Sequence, residues 1–307
     1  MIGGGPAPGG RAIAPAAMAV SRVGESPMWH PVEQVLYWCD IPAREIHRLD
    51  PRDASLQHWR FESEPACCAP ALGGGLVVAF RDGIWHVDST TGQRRRRAAA
   101  PYDPAVERFN DGKCDPQGRF WAGTIYEPRD RPAAALYRHG RDGLVRVAGG
   151  VTNSNGLAWS PDGATLYWAD TREHCVRAYD FHPADGTLSS PRDFARFPPR
   201  APGEPLQTYG GRPDGAAVDS LGRYWVAMYE GARLLCLSPD GAVVEEVRLP
   251  VRCPTMPAFG GADLRTLYVT TAREGRPAAE LADEPWAGCV LQMRVAVPGL
   301  PANLALP

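Results

Sequence analysis

The stretch "SPDGATLYWADT", residues 160–171, joins a polar turn to a short run of aromatic and β-branched residues. Asp162-Gly163 is typical of a turn, and the run that follows is typical of a buried strand. Five other runs resemble it: "VLYWCDI" from Val35, "LVVAF" from Leu76, "RFWAGT" from Arg119, "RYWVAMY" from Arg223 and "TLYVTTA" from Thr266. Their starts lie about 40–60 residues apart, which is the spacing of propeller blades. The repeat predicts an all-β chain folded as a six-bladed β-propeller.

The repeat also sets the expected domain organisation. Short strand signals with Asp-Gly turns fill the intervals and fit the outer strands of each blade, whereas sustained helical periodicity is almost absent. Because the repeat runs through almost the whole chain, we expect one propeller domain over residues 20–307. Pro and Gly repeatedly interrupt residues 1–19, which we interpret as a disordered leader and not as a secretory signal.

The bulk composition excludes several classes of protein. The formal net charge of −2 provides no overall basic field for nucleic acid, so we expect no nucleic-acid partner. No stretch of about 18 apolar residues occurs, so we expect no membrane span. The eight cysteines form no CxxC pair and do not have the spacing of a zinc site or of a small disulfide scaffold. They are predicted to be reduced, and the chain to be cytoplasmic.

Four segments place acids, amides or an arginine directly before apolar strand residues. They are "GESPMW" with Glu25, "RFNDGK" with Arg108, Asn110 and Asp111, "NSNGLAW" with Asn153 and Asn155, and "RPDGAAV" with Asp214. Propeller blades point their innermost strands at a central channel, so residues from different blades can converge at one mouth. Two carboxylates and amide oxygens that leave room for water suit Ca²⁺, Mg²⁺ or Mn²⁺.

The Asn and Asp candidates have an alternative role as turn formers, because Asx side chains cap their own backbone in turns. Four acids are predicted to be turn formers when taken singly: Asp111, Asp162, Asp185 and Asp240. Asn155 and Asp214 differ from them because each runs directly into apolar residues. Glu25 has no turn role that would explain it.

Five segments resemble the signature stretches of the SMP-30/regucalcin/gluconolactonase family, over roughly Val20 to Pro301. They are "GESPMWHPVEQVLYWCDI", "RFNDGKCDPQGRFWAGT", "SNGLAWSPDGATLYWADT", "RPDGAAVDSLGRYWVAMY" and "PAFGGADLRTLYVTTARE". The resemblance implies a six-bladed propeller that hydrolyses sugar lactones with one divalent metal in its channel. It implies metal ligation by Glu25, Asn155 and Asp214.

The resemblance also implies substrate contacts from Arg108 and Asn110, with Asp111-Gly112 forming the turn that aims them and Lys113 supporting that loop. A further acidic contact falls nearest Glu127, although Pro128 stands at the aligned place, so the substrate preference stays open. In the expected mechanism the cation polarises the lactone carbonyl, and Asp214 is both a ligand and the general base.

Two alternative functions stay open at this point. One is a non-catalytic calcium-binding regulatory propeller, and the other is an organophosphate or aryl-ester hydrolase on the same scaffold. The particular sugar lactone, the oligomeric state and the identity of the ion, among Ca, Zn, Mn, Mg and Fe, also stay open.

Overall fold

Six four-stranded antiparallel sheets make up residues 11–307, the part of the chain that the computed structural model describes. Within each sheet the strands pair in order from an inner to an outer strand. The inner strands of neighbouring sheets contact one another around a closed ring, so the sheets are blades around a central channel. The predicted six-bladed β-propeller is confirmed.

The blades are numbered along the chain, beginning with the sheet that contains Glu25. The inner strands are β2 (Gly24–His30), β6 (Pro65–Pro70), β10 (Glu107–Cys114), β14 (Ser154–Trp159), β18 (Arg212–Val218) and β22 (Pro254–Gly260). The second strands are β3 (Val35–Asp40), β7 (Leu76–Phe80), β11 (Phe120–Tyr126), β15 (Thr165–Asp170), β19 (Tyr224–Tyr229) and β23 (Thr266–Thr271). The third strands are β4 (Glu45–Asp50), β8 (Gly83–Val87), β12 (Ala134–Gly140), β16 (Cys175–His182), β20 (Arg233–Leu237) and β24 (Val290–Arg294). The outer strands are β5 (Ser55–Arg60), β9 (Arg94–Ala99), β13 (Gly143–Val151), β17 (Thr187–Arg196), β21 (Val243–Arg248) and β1 (Ala14–Ala17).

Strand β1 closes the ring, because the N-terminal part of the described chain supplies the outer strand of the sixth blade. Ala14 pairs with Gln292 and Pro15 with Leu291 of β24. The leader predicted over residues 1–19 therefore needs correction at residues 14–17, and its residues 1–10 lie outside the described part of the chain. Pro is acceptable on this outer strand because one side of an edge strand forms no ladder hydrogen bonds.

The repeated aromatic runs form the second strands and the core between blades. Trp38, Trp121, Trp168 and Trp225 occupy four of these strands and are almost completely buried. Each indole N–H donates to a serine or aspartate oxygen near the inner strand of its blade, 2.6–3.1 Å away. Buried aromatic rings contribute strongly to the hydrophobic core, and a satisfied N–H avoids the cost of burying a polar group.

One short helix, α1 (Ala278–Asp283), interrupts the last blade between β23 and β24. Across residues 11–307, no helix has the length and apolarity that a bilayer crossing would require. All eight cysteines are buried free thiols.

Candidate active site

The candidate residues lie where the inner strands begin, at one end of the channel that we call the upper mouth. Because the six blades share one topology, their inner strands start at the same end. Glu25 is the second residue of β2, Asn155 is the second residue of β14, and Asp214 is the third residue of β18. Asn110 lies in the first half of β10. The structure therefore brings residues from blades 1, 3, 4 and 5 to one mouth.

A β-bulge accompanies each of these residues. The pairing register shifts directly after Glu25 in β2 and directly after Asn155 in β14. In β18 the shifted stretch contains Asp214, and in β10 it contains Asn110. A bulge bends its strand and re-aims the neighbouring side chain, which places these polar groups toward the channel.

The bulges of β2 and β14 also share an unusual backbone conformation. Ser26 has φ of 49° and Gly156 has φ of 61°, each directly after the candidate ligand of its strand. A Cβ atom on Gly156 would lie 2.3 Å from the hydroxyl oxygen of Tyr224 and 3.1 Å from the carbonyl oxygen of Asp214. Glycine is therefore required at 156 by both its conformation and the close approach of the fifth blade.

A chain of hydrogen bonds fixes the orientation of the two amides. Asn155 donates through Nδ2 to the hydroxyl of Thr171 at 2.7 Å, so its Oδ1 faces the other way. That Oδ1 accepts a hydrogen bond from Nδ2 of Asn110 at 2.8 Å, and Asn110 also donates to the carbonyl of Ser154. Oδ1 of Asn110 in turn accepts from Arg108 at 2.9 Å. The network leaves an oxygen of Asn155 directed toward Asn110 at the mouth.

Three buried acids, Glu25, Asp111 and Asp214, form what we call the carboxylate cluster. Burial, followed by the charges of Asp214 and Asp111, holds the pKa of Glu25 well above its usual value. Burial and then the charge of Asp111 raise the pKa of Asp214 to about 8. Burial also raises the pKa of Asp111. Without a counter-charge, these acids resist ionising together.

The donor set fits a hard divalent cation. Two carboxylates and an amide oxygen are the ligands that Ca²⁺ and Mg²⁺ favour, and a cation would relieve the repulsion between Glu25 and Asp214. No group of three or more His, Cys, Asp or Glu side chains within residues 11–307 is arranged to hold a metal. A site here would therefore depend on the Asn155 amide, and it would contain no thiolate or imidazole that favours a softer ion.

Glu127 lies on the rim beside Arg108 and is largely engaged by another arginine. Arg81 donates to both carboxylate oxygens of Glu127, at 2.9 and 3.0 Å, whereas Nε of Arg108 is 3.5 Å from the nearer one. The hydrogen bonds from Arg81 lower the pKa of Glu127, which favours its charged form. Glu127 and Arg81 also line a shallow rim pocket of about 570 Å³, and Pro128 is exposed.

Residues 23–273 match the family model described as the SMP-30/gluconolactonase/LRE-like region. The chain belongs to this family. It is 49% identical to 6-deoxy-6-sulfogluconolactonase from Pseudomonas putida, over 91% of this chain and 93% of the relative. It is 34% identical to regucalcin from Danio rerio, over 92% and 94% of the two chains. The crystal structure of regucalcin from Agrobacterium tumefaciens has the same fold, with a TM-score of 0.88, 23% identity and coverage of 96% and 97%.

The Asn-Asp-Gly segment of this SMP-30/gluconolactonase family member is a bulged strand, which corrects the expected turn. Strand β10 runs through it without interruption. Asp111 accepts a hydrogen bond from the backbone N–H of Leu157 at 2.8 Å and so joins the third blade to the fourth. A Cβ atom on Gly112 would lie 2.4 Å from the carbonyl oxygen of Trp121, so this glycine serves close packing. No local signal distinguishes Asp-Gly in a bulge from Asp-Gly in a turn.

Lys113 has a more central position than the loop-supporting role predicted for it. Its ammonium donates to the carbonyl oxygen of Ala216 in β18 and so connects the third blade to the fifth. Burial lowers its pKa to about 8, against the opposing effects of Asp111 and Glu25. The charges of the carboxylate cluster therefore favour the protonated form of a lysine that lies in the channel wall.

Proposed function

We propose that this chain hydrolyses a sugar lactone with the help of one divalent cation held by Glu25, Asn155 and Asp214. The observation that carries the proposal is the convergence of these oxygen donors with Arg108 and Asn110 at one mouth. It is supported by relatives named 6-deoxy-6-sulfogluconolactonase, putative sugar lactone lactonase and pentonolactonase, which are 49%, 33% and 34% identical to the chain.

The side chains have distinct tasks in this proposal. A divalent cation at the site would supply Lewis-acid polarisation of the lactone carbonyl. Arg108 and Asn110 hold the hydroxyl and carbonyl oxygens of the sugar, which lowers the entropic cost of the reactive pose. Asp214 accepts a proton from the water that attacks the carbonyl carbon. The ring C–O bond then breaks, and the ring oxygen takes up a proton to give the aldonic acid.

Substrate choice is proposed to depend on the rim around Arg108. Because Arg81 engages Glu127, that carboxylate has less capacity to accept hydrogen bonds from sugar hydroxyls. The name of the 49% identical relative makes a lactone with a sulfonate on its terminal carbon a substrate to test. We place the protein in the cytoplasm, which the eight buried thiols support.

A regulatory calcium-binding role is the second candidate, because regucalcins are 34% identical to the chain. The two roles differ in turnover, since a binding protein would hold the ion without hydrolysing any lactone. An aryl-ester hydrolase would require an apolar entrance, whereas Arg108 and Asn110 make this one polar.

The deciding experiment is a hydrolysis screen at controlled pH. Chelator-treated protein is tested on glucono-, xylono-, arabino- and 6-deoxy-6-sulfogluconolactone and on an aryl ester, with each of Ca²⁺, Zn²⁺, Mn²⁺, Mg²⁺ and Fe²⁺. The spontaneous opening of each lactone is subtracted. We expect metal-dependent turnover of at least one sugar lactone by the wild type and by the surface control Arg95→Gln, and the same turnover only at higher metal concentrations in Glu25→Gln. Metal binding without turnover of any lactone would support the regulatory role instead.

A further inference from the structure

The channel contains a second chamber at the end opposite the carboxylate cluster, which we call the lower cavity. Its volume is about 330 Å³. Most of its wall is apolar and comes from the inner strands and the residues that follow them. Large side chains from several blades line it: Met28, Trp29, Trp159, Met256 and Phe259. A volume of this size is within the usual range of small-molecule sites.

The C-terminal strap, residues 298–306, crosses this end of the channel. Gly299 forms a β-bridge with Asp219 of the fifth blade, and Ala305 forms one with Ala71 of the second blade. Blades 2 and 5 lie opposite each other in a ring of six. Residues 300–303 of the strap line the cavity between these two attachment points. The strap therefore forms the floor of the lower cavity. The upper mouth lies at the opposite end of the channel.

Lys113 is the one charged residue among the described residues that line the lower cavity. Within residues 11–307, the carbonyl oxygen of Ala216 is the one hydrogen-bond acceptor of its ammonium, which has three N–H donors. The charges of Asp111 and Glu25 favour the protonated form of Lys113, and its remaining N–H donors are left for a further acceptor. Lys113 is therefore the charged side chain in the wall of an otherwise uncharged chamber.

We propose that the lower cavity binds a small aromatic monocarboxylate, with its ring against Trp29, Trp159 and Phe259 and its carboxylate on Lys113. Apolar cavities of about 150 Å³ in other proteins hold benzene, so this chamber admits a one- or two-ring molecule. The aromatic wall favours a flat ring, and a carboxylate offers two acceptors to the free N–H groups of the lysine. This site is separate from the proposed lactonase site and does not require it.

The test is calorimetric titration of the calcium-loaded, full-length protein with 2-naphthoate, compared with the uncharged 2-naphthalenemethanol. We expect one molecule bound per chain with a Kd below about 1 mM, and at least tenfold weaker binding of the alcohol. Lys113→Met should weaken naphthoate binding at least tenfold and abolish the preference for the acid. Ala302→Trp, which places a large side chain on the strap, should block both ligands without removing the charge.

A third variant separates the two ends of the channel. Asn155→Ala alters the upper mouth without changing its charge, and it should leave naphthoate affinity within about threefold of the wild type. The proposal is overturned by the absence of saturable binding, by equal affinity for the acid and the alcohol, or by loss of binding in Asn155→Ala. Lactone hydrolysis is measured in parallel, so failure of the lower site and failure of the lactonase proposal give different results. If Lys113→Met does not fold, Ala302→Trp and the alcohol comparison still decide the question.

Discussion

Asn110 of the third blade donates a hydrogen bond through Nδ2 to Oδ1 of Asn155 in the fourth blade, across 2.8 Å. The bond connects a residue proposed to contact substrate with a residue proposed to hold the cation. Asn110 is oriented at its other end by Arg108, and Asn155 is oriented by Thr171. Substrate binding and ion binding are therefore proposed to share one hydrogen-bonded network.

Asn110→Ala should weaken metal affinity roughly 10–100-fold, because Asn155 loses the donor that orients its oxygen. The measurement is calorimetric titration of chelator-treated protein with Ca²⁺. Asn153→Ala is the matched control. Oδ1 of Asn153 lies 3.4 Å from Nδ2 of Asn110, but Asn153 forms no hydrogen bond to Asn155. An equal loss of affinity in both variants would show that the effect is not specific to the Asn110–Asn155 bond.

Arg108→Ala should lower kcat/KM on a sugar lactone by roughly 10²-fold, because the substrate loses a positioning group. Metal affinity should be unchanged or slightly higher, since the substitution removes a positive charge from beside Glu25 and Asp214. Arg108→Lys is the control: it keeps the charge but loses the fork of N–H donors, and intermediate activity is expected. A parallel fall in metal affinity would mean that Arg108 holds the site together and does not act on the substrate.

The sequence predicts the fold and the convergence of the candidate ligands, because both depend on features repeated along the chain. Glu25, Asn155 and Asp214 stand directly before apolar strand residues in different blades, so their common location follows from the repeat. The contact of Lys113 with Ala216 and that of Asp111 with Leu157 do not follow from it. They depend on how one blade approaches another, which no local pattern encodes.

Gly156→Ala should lower the free energy of unfolding by about 2–4 kcal/mol, because it combines a strained backbone with an overlap on Tyr224. Gly203→Ala is the matched control: Gly203 has φ of 78° but no atom within 4 Å of the added Cβ, and a loss of about 1 kcal/mol is expected. Guanidinium unfolding, followed by fluorescence and circular dichroism, measures both losses. Equal losses would indicate that backbone strain alone requires glycine at 156.

The stability of the chelated protein should fall as pH rises from about 4 to 8. The pKa of Asp214 is about 8 in the folded chain and about 3.9 when unfolded, so between these values the folded state holds a proton that the unfolded state has released. The contribution to the slope is at most about 1.4 kcal/mol per pH unit. This contribution of Asp214 to the pH slope should be absent in Asp214→Asn. In the wild type, Ca²⁺ should stabilise the protein more at pH 8 than at pH 5. Identical pH slopes for the wild type and the variant in chelator would contradict the assignment.

Asp214→Asn separates ion binding from proton transfer. Asparagine keeps an oxygen for the cation but loses the negative charge and the basic oxygen. If Asp214 is only a ligand, affinity falls and saturating metal restores most of kcat. If it is also the general base, a deficit of about 10²–10⁴-fold persists at full occupancy, equivalent to roughly 3–5 kcal/mol of barrier.

Glu25→Gln is the matched control for that experiment, because Glu25 belongs to the same carboxylate cluster and is assigned a ligand role alone. We expect metal to rescue Glu25→Gln but not Asp214→Asn. The measurement is kcat against metal concentration for both variants, with bound metal determined directly in the same samples. Equal rescue of the two variants at full occupancy would remove Asp214 from the role of base, and the activation of water would then need another acceptor at the upper mouth.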